Sequence, residues 1–167
     1  MGQHLTKRDV EKIEKEIEMR RVELRPKLTK AVAEAAAQGD RSENFEYYAA
    51  KRFNRQNESR IQYLEKMLKT AKVISDKSKA DEVGLNDTVT LYFEDDDEEE
   101  VYRLVTSIRG NSMEGRISIE SPLGSAIRGH KEGETVFVKV NEKSGYEVTI
   151  RKIEKTGEEE TDHIRSY

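Results

Sequence analysis

Residues 47–71 read YYAAKRFNRQNESRIQYLEKMLKTA. Within them Tyr47, Ala50, Asn54, Asn57, Ile61, Leu64, Leu68 and Ala71 recur at alternating steps of three and four. That spacing puts all eight side chains on one face of an α-helix, as the seam of a heptad repeat. The two Asn in mid-seam lower its stability and fix its register against a partner helix. The preceding residues supply the partner. Val10, Ile13, Ile17, Leu24, Leu28, Ala31 and Ala35 also keep helical spacing, with Arg20 or Arg21 in the slot where an apolar residue is missing. Thr6-Lys7-Arg8-Asp9 has the form of a capping box with Asp in place of Glu. Glu11/Lys15, Glu16/Arg20 and Glu23/Lys27 are favourably ordered i,i+4 pairs, each worth about 0.2–0.5 kcal/mol. Pro26 falls inside the run, and because the period resumes after it, it bends the helix rather than ending it. Gly39 suits the helix end. These residues predict an antiparallel helical hairpin: a helix over residues 6–38, roughly 50 Å long at about 1.5 Å per residue, a turn over 39–46, and the seam helix. The turn is expected to stand far from everything else in the chain.

The whole chain has 167 residues, 38% of them charged and only 34% hydrophobic. A single compact globule would bury more apolar material, and long solvated helices suit this composition. Residues 1–75 carry 17 Lys and Arg against 12 Asp and Glu, whereas residues 76–167 carry 13 against 22. Eight of the ten Gly lie in the second half. The polar stretch Ser75–Ala80 separates the halves. The expected organisation is a hairpin over 1–75, a linker over 76–82, a second domain over 83–155 and a polar, frayed tail over 156–167. No apolar run approaches a membrane span and no charged-then-apolar leader opens the chain, so a cytoplasmic protein without membrane contact is expected. With no Cys, thiolate nucleophiles and Cys-based zinc sites are excluded.

The second half reads as five strands, over residues 88–93, 101–108, 116–120, 135–140 and 146–153, where β-branched residues alternate or cluster. Ser121-Pro122-Leu123 opens a short helix, with Ser at the N-cap, Pro at the first position and Gly129 past the end. The fold class is therefore α+β: a helical hairpin followed by a small sheet with one short helix. Glu94–Glu100 is seven acids in a row, which favours an exposed loop between strands.

The usual catalytic kits are missing. His4, His130 and His163 are scattered and read as surface residues. There is no phosphate-binding Gly loop, and Ser121 is a helix cap rather than a nucleophile. The hairpin turn stands out. Asp40 and Glu43 lie three apart and, if the turn is helix-like, project from one side. One reading is structural: Asp40 or Ser42 caps the second helix, and Glu43 and Glu46 complement its positive end. The other is chemical: an acidic apex between basic flanks (Arg20, Arg21, Arg25, Lys27, Lys30, Lys51, Arg52, Arg55, Arg60) suits a cation at the end and nucleic acid along the side. Two carboxylates are too few for magnesium, which wants octahedral oxygen coordination. Metal chemistry here would need a partner to complete the site.

Ala36-Ala37-Gln38-Gly39-Asp40-Arg41-Ser42-Glu43-Asn44-Phe45-Glu46-Tyr47 resembles the tip signature of the bacterial Gre transcript-cleavage factors. Ile117-Ser118-Ile119-Glu120-Ser121-Pro122-Leu123-Gly124-Ser125-Ala126-Ile127 is similar to their Ser-Pro motif. The likeness covers about residues 5–155. It implies a coiled-coil hairpin and an FKBP-like C-terminal domain that binds bacterial RNA polymerase through Ser121, Pro122 and Leu123. It implies that the hairpin enters the polymerase secondary channel. There Asp40 and Glu43 would help hold a transient Mg2+ and a water, so that the polymerase cleaves the backtracked nascent RNA at its 3′ end. Asn44, Glu46 and Tyr47 would support the tip, and Arg52 and Arg55 would contact the RNA. The factor would be a monomer when free, without nuclease activity of its own. The acidic run could also steer docking. The alternatives are a channel-binding regulator that does not promote cleavage, and a coiled-coil adaptor or chaperone unrelated to polymerase.

Overall fold

The computed structural model describes residues 2–39, 44–157 and 163–165. By their contacts the residues form two compact units, one of residues 1–3 and 7–72, the other of residues 4–6 and 73–167.

In the first unit, α1 (Lys7–Met19) runs through a π-helical turn (Arg20–Leu24) into α2 (Arg25–Ala36), and all three pack against α3 (Phe45–Thr70). Pro26 explains the π-turn. Having no N–H, it cannot bond the carbonyl of Val22, four residues back. The chain widens one turn earlier, where the Arg25 N–H reaches back five residues to the Arg20 carbonyl. Met19, Leu24 and Arg25 keep right-handed helical angles, so the helix passes through Pro26 without ending. Ile13 and Ile17 are buried on one side of the hairpin, and Ile61 and Leu64 on the other. The seam differs from its heptad reading in two places. Arg60 and Met67 are buried beside it, and Ala71 lies outside the helix with extended angles.

Arg60 is buried because it is neutralised. Its Nε donates to Glu16 Oε2 at 2.8 Å, and the same oxygen accepts from Arg20 Nε at 2.9 Å. Arg20 also donates to Asn57 Oδ1 at 3.0 Å, and Asn57 Nδ2 returns a bond to the Arg20 carbonyl at 3.2 Å. The polar slot opposite Asn57 is thus filled by Arg20, and together they make a buried polar layer that ties the arms in one register. Farther along, Arg25 grips Glu58 through two parallel bonds of 2.7 and 2.9 Å, and Arg21 pairs with Glu65. Four of the cations expected on a basic flank are therefore internal ties.

The second unit is a five-stranded sheet in the order β5-β4-β3-β7-β6, with β3 Thr88–Phe93, β4 Glu98–Val105, β5 Arg116–Ser118, β6 Thr135–Lys139 and β7 Gly145–Glu154. The two-residue strands β1 (His4–Leu5) and β2 (Lys72–Val73) lie outside it. Within this sheet only β4 and β5 run parallel. Val89 and Leu91, Val136 and Val138, and Val148 and Ile150 are buried with a period of two, the signature of a sheet with one covered face. Ile127 of α4 (Pro122–Ile127) joins this core.

Three expectations are corrected here. The fourth acid of the acidic run, Asp97, closes a turn with φ 50°, but Glu98, Glu99 and Glu100 belong to β4 and pair with Phe93, Tyr92 and Leu91. The end of the acidic run is strand because its side chains remain in water while its backbone completes a ladder. Arg151 helps by binding Glu99 at 2.8 Å and lying 3.9 Å over the Tyr92 ring. At its other end β4 stops at Val105, and Ile108 sits in a 3-10 turn over Ser107–Arg109. The described residues Thr156 and Arg165 of the tail are tied down rather than frayed. Thr156 bonds the Asn86 carbonyl at 2.5 Å, and the Arg165 N–H donates to Ile108 at 2.8 Å, satisfying backbone acceptors that the sheet leaves open. Lys155 draws the segment before β3 to the end of β7, donating to Ser78, the Glu82 carbonyl and Asp87 at 3.0, 2.6 and 2.6 Å.

Candidate functional site: the hairpin turn and the Ser-Pro loop

Asp40, Ser42 and Glu43 lie outside the described residues. Asn44, which follows them, begins α3. Its Oδ1 accepts from the Tyr47 N–H at 3.1 Å, and its Nδ2 donates to the Ala35 carbonyl at 2.6 Å. One amide thereby satisfies an orphan donor of α3 and a carbonyl in the last turn of α2. The cap is Asn44, not Asp40 or Ser42, because the helix starts at Phe45, within reach of the Asn44 side chain. Glu46 is exposed in the first turn, where its charge favours the helix start. Tyr47 is half-buried, with its ring and that of Tyr48 in a T-shaped contact and the Lys51 ammonium 5.3 Å from its centre. Arg52 and Arg55 are exposed. Phe45, 85% exposed, was not singled out in the sequence, because helical spacing shows which face a residue takes and not that the face lacks a partner. Asn44→Ala is expected to cost about 1–2 kcal/mol of stability, with Asn44→Asp intermediate because it keeps the cap and loses the bond to Ala35; urea unfolding followed by helical circular dichroism reads both.

The second motif builds a rigid loop. Ser121 Oγ accepts from the Gly124 N–H at 3.0 Å and donates to the Ser118 carbonyl at 2.6 Å, so Ser121 caps α4. Pro122 follows at the first helical position, and Gly129 lies past the end with φ 83°. Pro122 is exposed, while Leu123 packs partly on the core. Next to them Glu120 accepts from the Ser107 hydroxyl and meets His4 Nδ1 at 2.6 Å. The Ser107 bond, working against partial burial and assisted by His4, holds the Glu120 carboxyl below the usual carboxylate range. His4, read as an isolated surface residue, is thus paired with a carboxylate 116 positions away, and His130 with Glu134 at 2.8 Å. Gly124 has no room for a side chain, since a Cβ there would sit 1.9 Å from the Ser118 carbonyl oxygen. Gly124→Ala is expected to destabilise the protein by about 3 kcal/mol. Thermal unfolding measures the loss.

Among the described residues no group of three or more His, Cys, Asp and Glu could hold a metal ion. None of their helices is long and apolar enough to cross a membrane.

Two family models match the chain in tandem: "Transcription elongation factor, N-terminal" over residues 3–73 and "Transcription elongation factor, GreA/GreB, C-term" over residues 77–155. The chain belongs to the GreA/GreB family. Transcription elongation factors GreA from Brucella canis and Brucella suis are each 42% identical over 135 residues, covering 80% of this chain and 86% of theirs. Among solved structures, the transcription factor Gfh1 aligns at 26% identity and a TM-score of 0.46, covering 92% of this chain and 97% of its own. Gfh1 of Thermus thermophilus gives 26% and 0.43, covering 93% and 100%. The N-terminal GreA/GreB match coincides with the hairpin and its Asn44 clasp, and the C-terminal match with the sheet and the Ser-Pro loop.

Proposed function

We propose that this Gre-family elongation factor stimulates RNA polymerase to cleave backtracked nascent RNA. In this reading the Ser121-Pro122-Leu123 loop docks on the polymerase, and the hairpin brings Asp40 and Glu43 to the polymerase's own catalytic centre. The observation that carries the reading is the Asn44 cap. It serves the capping duty for which Asp40 or Ser42 was the other candidate, so Asp40 is not needed to start α3. Two carboxylates fit magnesium only as part of a shared sphere, which favours an accessory factor over an autonomous nuclease. A magnesium ion held there would polarise the scissile phosphate and acidify the attacking water. Asp40 and Glu43 would supply charge and oxygen ligands, Asn44 would hold the turn against Ala35, and Arg52 and Arg55 would face the phosphates of the RNA.

The test is RNA cleavage in a stalled, backtracked polymerase complex with magnesium. The factor is expected to accelerate 3′-end cleavage there and to leave free RNA intact without polymerase. Slowed nucleotide addition without cleavage would instead indicate a channel-binding regulator. No association with polymerase would return the hairpin to an adaptor role.

A further inference from the structure

The five-stranded sheet has two unlike ends. At one, β4 stops at Val105 beside Ser118 of β5, and the chain turns into the Ser-Pro loop. The other end is the start of β4 at Glu98, roughly 23 Å away at about 3.3 Å per residue. There the β3–β4 turn and the β6–β7 turn border one cleft of about 420 Å³. Phe93, Val140 and Tyr146 are its apolar lining, and Asp95, Asp96 and Glu147 carry its charge. The Phe93 ring lies 5.9 Å from that of Tyr146 and 6.3 Å from that of Tyr102 behind it. Val140 and the three acids are exposed. Among the described residues none of these acids has a cationic partner, and no Lys or Arg lines the cleft.

The opposite face of the same sheet shows what such a combination holds. Strand alternation turns Tyr92 away from Phe93, and there the Arg151 guanidinium lies 3.9 Å over the Tyr92 ring while donating to Glu99 at 2.8 Å. A planar cation takes a ring by its face and a carboxylate by its fork at the same time. The cleft repeats the rings and the acids and lacks the arginine. Free arginine fits poorly, because its own carboxylate is repelled by the three acids, whereas within a chain that carboxylate is an amide. We infer that the cleft is a docking site for an arginine side chain on a basic segment of a second protein. The guanidinium stacks on the Phe93–Tyr146 pair and bonds Asp95 and Asp96, and the rest of the acidic run draws the segment in. The inference does not depend on the cleavage reading, since the cleft lies at the end of the sheet away from Ser121, Pro122 and Leu123.

The experiment titrates the isotope-labelled full chain with a capped pentapeptide, one Arg between pairs of Gly, and follows the backbone amide resonances. The shifts are expected to centre on residues 93–96 and 144–147. A citrulline peptide keeps the planar shape without the charge and should bind about tenfold more weakly, the scale of one charge-assisted hydrogen bond. Free arginine should be weaker than the peptide by a similar factor of about ten. In the chain, Asp95→Asn with Asp96→Asn should cost roughly tenfold. Glu11→Gln with Glu23→Gln removes the same charge from the hairpin and should leave binding within about twofold. Tyr146→Leu should cost roughly fourfold and Tyr146→Phe nothing measurable, because the ring and not the hydroxyl is the contact. The docking site is wrong if the shifts scatter over the acidic surface without centring on the cleft. It is equally wrong if the citrulline peptide binds as well as the Arg peptide, or if the hairpin pair costs as much as Asp95 and Asp96. These two acids are exposed turn residues, so their result decides the matter even if Tyr146→Leu fails to fold. Equal binding of free arginine would overturn the protein-borne occupant.

Discussion

Asp40→Ala and Glu43→Ala are each expected to lower factor-stimulated cleavage of backtracked RNA by on the order of 100-fold, the rate equivalent of about 2.7 kcal/mol in the transition state. A lone carboxylate cannot replace the pair, because a transient ion needs both charge and ligand geometry. Affinity for polymerase should stay within about twofold of wild type, since docking is assigned to the Ser-Pro loop rather than the turn. Stability should also hold, because the start of α3 is capped by Asn44. Asp40→Asn separates charge from shape and should fall nearly as far as Asp40→Ala. The measurement is single-turnover cleavage at saturating factor, with a competition assay for binding. Wild-type rates from either alanine variant would remove the acids from the mechanism.

The second large effect is on stability. Glu16→Ala is expected to cost about 3 kcal/mol, because it strands the Arg60 guanidinium, only 7% exposed, without its carboxylate. Replacing both partners with apolar residues of similar size should recover much of that loss, since no unpaired charge would remain buried. Urea unfolding of the single and double variants measures both. The same pair shapes the acid limb of stability. Burial raises the Glu16 carboxyl, but the hydrogen bonds from Arg60 and Arg20 outweigh it, so its pKa lies below the ordinary value of 4.5. A carboxylate depressed in the folded state contributes its full stability above the unfolded pKa and loses it as the pH falls through the folded one. Wild type should therefore lose stability faster than Glu16→Ala below about pH 4.5. Parallel acid limbs would show that Glu16 is not the group responsible.

The hairpin was legible because its information is periodic and local. Ile13, Ile17, Ile61 and Leu64 announce buried faces by spacing alone, and they are buried. The Ser-Pro helix was legible for a similar reason: Ser121, Pro122 and Gly129 each carry a backbone preference that acts within a few residues. The cap of α3 was not. Ser42, Asp40 and Asn44 are all competent caps, and the choice depended on where the first helical turn begins and on an Ala35 carbonyl nine residues back. Nor could spacing tell a solvated arginine from a tied one, since Arg60 and Arg55 look alike until α1 brings Glu16 to one of them. The acidic run was misread because like charges count against a strand only when their side chains crowd or are buried, and Glu98–Glu100 face water.

Patterns of three and four, turn residues and the two motifs established by themselves the helical hairpin, the α+β class and the family likeness, because each acts through backbone preference or solvent exclusion over short range. Which acids and bases are tethered and which remain open was decided only in three dimensions. A charged side chain takes its meaning from its neighbour. The neighbours that matter here are far away in the chain: Glu16 beside Arg60 and His4 beside Glu120.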